Sequence, residues 1–147
     1  MQTVLFICTH NSARSQIAEG LLNAIYRSRF KAFSAGTKPT SVNPYAIRAM
    51  AEIGIDISAH HSKHLSEFLG KKIDYVITVC DSANESCPVF PNALNRLHWS
   101  FPDPSAVKGS ENAKMDVFRK VRDGIKRNID EFFGTLEKQR RKSEKKT

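Results

Sequence analysis

Hydrophobic positions along the chain follow two rhythms, and the rhythms alternate. Residues 3–7 (TVLFI) form an unbroken apolar run of buried-strand length, closed by the polar stretch CTHNSARS. Ile17, Leu21, Ala24 and Ile25 then recur at steps of three and four, which predicts an amphipathic helix starting near Arg14 or Ser15. Residues 31–35 alternate as a second strand, ended by Gly36. Asn43-Pro44 is a helix-start signal: Asn caps, and Pro sits where its missing N–H costs nothing. Ala46, Met50 and Ile53 mark the buried face of that helix, and Gly54 its stop. A short helix is expected at 65–69, strands at 73–79 (IDYVITV) and 94–99, and a loop at FPDPS. The last helix carries Phe118, Val121, Ile125, Ile129, Phe132 and Leu136 at the same helical steps.

This order predicts a single α/β domain over residues 1–136, a parallel sheet covered on both faces by helices. Ligands of such sheets bind beyond the carboxyl ends of the strands. Cys8, Cys80 and the FPDPS loop each follow a predicted strand, so all three are expected along one edge of the sheet.

Composition narrows the class. The chain has 147 residues, 40% of them apolar, which suits an ordinary globular domain. No apolar stretch is long enough to span a bilayer, and the first run lacks the basic flank of a signal peptide; a cytoplasmic protein without membrane partners is expected. Of the formal charge of +8, a net +4 lies in residues 137–147, where six basic side chains face Glu137 and Glu144. With almost no apolar content, that end is expected to be a mobile, solvated tail rather than a nucleic-acid arm. The remaining charge suits a small anionic substrate.

The three cysteines are Cys8, Cys80 and Cys87. An odd number without a signal peptide argues against a disulfide scaffold, and no C-x-x-C pair suggests zinc. Nucleophilic or redox chemistry remains, beside plain buried thiols.

Cys8-x5-Arg14 puts a thiol and a guanidinium at the two ends of a tight loop that opens a helix. Inward amides of Thr9, His10, Asn11, Ser12 and Ala13, with the positive helix end, would cradle a tetrahedral oxyanion, and Arg14 adds a two-pronged donor. The same field favours a Cys8 thiolate, to which Ser15 can donate. Asn11 tolerates the positive φ that a sharp bend needs.

CTHNSARS followed by QIAEG resembles the phosphate-binding loop of the low-molecular-weight protein tyrosine phosphatase family, and most closely its arsenate reductase branch. The likeness extends through SAG (34–36), GIDIS (54–58), VCDSANESCP (79–88) and HWSFPDP (98–104). It implies the phosphatase-like α/β fold and an arsenate reductase that needs no cofactor or metal. The implied reaction is a relay through Cys8, Cys80 and Cys87, with Asp103 as the acid and thioredoxin as reductant. Glutaredoxin or a small thiol is the other donor left open. Two cysteines beyond the nucleophile favour the reductase, because a phosphatase needs one thiol and a reductase must supply two electrons. A tyrosine phosphatase, and a non-enzymatic oxyanion or redox sensor, are the alternatives.

The chain departs from many relatives in having His10 and Ala13 in the loop. Some relatives hold potassium through positions matching Asn11, Glu19 and Ser34. The remaining acidic ligand matches Lys63 here, so no potassium site is expected. His60, His61 and His64 are expected at the surface.

Overall fold

Four consecutive apolar residues in a strand require cover on both sides, and the fold supplies it unequally. The computed structural model describes residues 1–81, 89–91 and 93–145. Strand β1 (Gln2–Ile7) is followed by α1 (Arg14–Ile25), β2 (Phe30–Ala35), α2 (Pro44–Ala51), β3 (Ile73–Thr78), β4 (Ala93–His98) and α3 (Glu111–Lys145), with 3-10 turns at Leu65–Phe68 and Pro104–Ala106. The strands form one parallel sheet in the order β2-β1-β3-β4. Val4 and Phe6 face the cluster built by α1, α2 and α3, while Leu5 and Ile7 face a smaller one closed by Phe68 and Phe90. The sheet is flanked by helices as expected, and among the described residues the second face is closed by the 3-10 turn at Leu65–Phe68 and by Phe90.

The helix starts are legible, and the helix faces less so. Asn43 caps α2 by accepting from the Tyr45 N–H at 2.8 Å, and Gly54 takes φ +79° beyond its end. Ile53 falls in that turn and is 40% exposed, because the helix ends before its face can be buried. On α1 the buried apolar positions are Ile17, Ala18, Leu21 and Leu22; Ala24 and Ile25 lie exposed where the chain turns toward β2. On α3 the deepest ring near the end is Phe133, which meets Phe30 edge-on at 4.8 Å, with Phe132 partly buried beside Tyr75 and Trp99. Steps of three and four allow either phenylalanine, and the second is the one fully buried, against Phe30 of β2.

The basic end is drawn differently from the tail expected. Helix α3 continues through Leu136 to Lys145, with ion pairs one turn apart, Arg140 to Glu144 at 2.7 Å and Arg141 to Glu137 at 3.4 Å. Such pairs and good helix formers sustain a helix that has no apolar face to bury. Among the described residues no helix is long and apolar enough to cross a membrane.

Candidate active site

The parallel register brings the carboxyl ends of β1, β3 and β4 to one edge of the sheet, as the sequence pattern predicts. Ile7 is level with Thr78, and the Val79 N–H donates to the Ile7 carbonyl at 2.9 Å. Cys8 therefore lies level with Val79 on the neighbouring strand, about 4.8 Å away. Cys80 is one residue farther along, fully buried and disulfide-bonded, whereas Cys8 is a buried free thiol. Cys87, the third cysteine of the expected relay, lies outside the described residues.

Between Cys8 and Arg14 the loop turns its carbonyls away from its centre. The Thr9, His10 and Ser12 carbonyls accept from the Lys38, Thr40 and Asn43 amides, and the Asn11 carbonyl accepts from Ser62 Oγ at 2.7 Å. A trans peptide points its N–H opposite to its C=O. The amides of His10, Asn11, Ser12 and Ala13 are thus directed the other way, and none has a main-chain acceptor among the described residues. Amides with no acceptor among the described residues, just before a helix, have the geometry that suits an anion. Asn11 sits at φ +49°, the bend expected of it. Gly36 closes the outside of the loop: a Cβ there would lie 2.4 Å from the Thr9 carbonyl oxygen and 2.7 Å from that of Cys8. Only glycine lets β2 approach so closely.

Arg14 is the first residue of α1 and is 4% exposed. Its Nη1 donates to the Phe101 carbonyl at 3.0 Å, which ties the cradle to the FPDPS loop. Two residues on, Asp103 caps the 3-10 turn: Oδ1 accepts from the Ser105 N–H at 3.0 Å and Ser105 Oγ at 2.7 Å. Asp103 is the turn residue that its proline neighbours suggest, a half-buried carboxylate two residues from the Phe101 carbonyl that Arg14 holds, with Oδ2 lacking a partner among the described residues. His10 is exposed on the rim.

Behind the loop Ser15 meets Cys8 as the sequence suggests, and beyond it lies a layer of Gln16 and His60 that sequence reading missed. Ser15 Oγ is 2.8 Å from Cys8 Sγ and receives Asn11 Nδ2 at 2.7 Å. Gln16, fully buried, donates to Asn11 Oδ1 at 3.0 Å, and its Oε1 meets His60 Nδ1 at 3.0 Å. His60, expected at the surface, instead packs against α1, also 3.1 Å from Glu19 Oε2. His64 has a local task, accepting from the Ser66 N–H at 3.0 Å. No group of three or more His, Cys, Asp or Glu side chains among the described residues is arranged to hold a metal. In the same layer Ser34 donates to Glu19 Oε1 at 2.9 Å, and the Lys63 ammonium stands 3.9 Å from the same oxygen.

The chain as a whole is similar to known proteins. An arsenate reductase from Halalkalibacterium halodurans is 42% identical over 134 residues, covering 91% of this chain and 96% of that protein. A solved arsenate reductase in its oxidized state has a TM-score of 0.77 at 29% identity, over 92% of this chain and 99% of that one. A thioredoxin-dependent arsenate reductase from Corynebacterium glutamicum matches with a TM-score of 0.71 at 28% identity, over 95% of this chain and 63% of that one. Residues 3–142 match the family described as low molecular weight phosphotyrosine protein phosphatase, and the chain belongs to that family.

Proposed function

We propose that the protein is a cytoplasmic arsenate reductase working through three thiols in turn, with thioredoxin as the reductant. The observation that carries this reading is the pairing of an oxyanion cradle around Cys8 with a second cysteine, Cys80, at the neighbouring strand end. A hydrolytic phosphatase has no use for that second thiol.

The Cys8 thiolate attacks arsenate, with the loop amides and Arg14 holding the oxygens. Asp103 gives a proton to the departing hydroxyl, which leaves as water and yields a sulfur–arsenic(V) bond. Cys80 thiolate then attacks Cys8 Sγ. The new sulfur–sulfur bond forms as the sulfur–arsenic pair of electrons passes to arsenic, reducing it to arsenite. Cys87 attacks Cys80, Cys8 leaves as a thiolate, and the oxidised bond now joins Cys80 and Cys87 for thioredoxin to reduce. The described thiols are consistent with that end point, since Cys8 is free and Cys80 is not.

Arsenate-dependent NADPH oxidation, measured with thioredoxin and its reductase beside hydrolysis of a generic phosphate ester, tests the reading. Turnover of arsenate far exceeding ester hydrolysis is expected. Ester hydrolysis with no arsenate-dependent oxidation would make the protein a phosphatase.

A further inference from the structure

The hydrogen bonds behind the loop all run in one direction. The Asn11 side chain is fixed because Oδ1 accepts from the Lys63 main-chain N–H at 2.9 Å and from Gln16 Nε2 at 3.0 Å, which leaves Nδ2 to face Ser15. Gln16 is fixed too, with Nε2 against three oxygens: the Asn11 carbonyl at 3.1 Å, Asn11 Oδ1, and the His61 carbonyl at 3.1 Å. Its Oε1 therefore faces His60, and since an amide oxygen only accepts, His60 Nδ1 carries the hydrogen. Ser15 Oγ has accepted from Asn11, so its single O–H is available for the sulfur 2.8 Å away.

We propose that His60 is a positioning residue for the nucleophile. Its Nδ1–H locks the Gln16 amide, and Gln16 and Asn11 pass that orientation on, so that the Ser15 hydroxyl donates to a Cys8 thiolate. Donors aligned head to tail polarise one another and stabilise negative charge at the end of the chain. Without the imidazole, the buried Gln16 oxygen loses its partner, so the amide is held at its Nε2 end alone and the chain of donors loses its head. The charged groups around His60 are Glu19 on α1, which shares the same Nδ1–H, Lys63 beside Glu19, and Asp56 on the preceding turn. The Nδ1–H is present in the imidazolium and in one neutral tautomer, so the lock does not depend on the charge of His60.

The inference rests on Cys8 as the nucleophile proposed above, and its test reads the thiol rather than arsenate turnover, so the two stand or fall separately. In a Cys80→Ser, Cys87→Ser background, Cys8 is the single thiol, and its rate of alkylation by iodoacetamide is followed against pH. His60→Ala is expected to slow alkylation about threefold to tenfold below the thiol pKa while leaving the high-pH plateau unchanged. His60→Asn, whose amide Nδ2–H stands close to where the imidazole Nδ1–H does, is expected to restore most of the rate. An unaltered pH profile in His60→Ala, or a loss that His60→Asn does not repair, would overturn the proposal. Nitrogen chemical shifts of His60 in the otherwise unaltered protein give a second measure that needs no substitution at that residue. A hydrogen on Nδ1 supports the lock, and a neutral ring protonated at Nε2 alone contradicts it.

Discussion

Arg14 links the two halves of the chemistry. It begins α1, so its guanidinium stands beside the helix amides, and through Phe101 it holds the loop that carries Asp103. In the proposed reaction the acid is thereby placed relative to the anion by the group that binds the anion. Asp103→Asn keeps a cap for the 3-10 turn but cannot supply the proton. Arsenate turnover is expected to fall about 100-fold to 10,000-fold, with thermal stability little changed, as steady-state kinetics and a melting curve would show. An equal loss of stability and rate would leave Asp103 a turn residue and nothing more. The loop from Cys8 to Arg14 was readable because its parts are consecutive and follow a strand. His60 and Gln16 were not readable as partners: they are 44 positions apart, and nothing in an irregular stretch of sequence says which side of it faces a helix.

Elements were legible where short-range chemistry decides them. The Asn43 cap, the bend at Asn11 and the arrest of β2 at Gly36 all follow from local residue types, and the parallel order follows from strands alternating with helices. What local pattern cannot give is how helices dock on one another. Glu52, at the end of α2, receives Arg119 through both carboxylate oxygens, at 2.7 to 3.1 Å, and Arg122 at 2.9 Å, clamping α2 to α3. The Arg119 hydrogen bonds, with help from Arg122, bring the Glu52 carboxyl from 4.5 down to about 2. A depressed carboxylate adds stability that is complete above its unfolded value and fades as pH falls toward the folded one. Glu52→Gln is therefore expected to lower the melting temperature at neutral pH. The gap from the parent protein should then narrow between pH 4.5 and about 2. A gap that stays constant through that range would show the clamp to be steric.

At the scale of the whole molecule, the sheet converts separated strand ends into one reaction edge. Cys8, Val79 and the FPDPS loop come together because β1, β3 and β4 run parallel, although 95 residues separate Cys8 from Asp103 in the sequence. Among the described residues, Phe68 and Phe90 close the face of the sheet opposite α1, α2 and α3. Cys80 is fully buried, so the proposed relay needs its sulfur to become accessible before an external reductant can act. Exchange between thiols is the step on which the reading turns, since cradle, acid and arginine would serve a phosphatase equally well. Replacement of Cys87 by Ser isolates that step, and the arsenite formed per enzyme with thioredoxin, its reductase and NADPH in excess measures it directly. The relay predicts about one arsenite per enzyme, with Cys8 joined to Cys80 in peptide mapping by mass spectrometry. Continued thioredoxin-dependent turnover by this variant would contradict it.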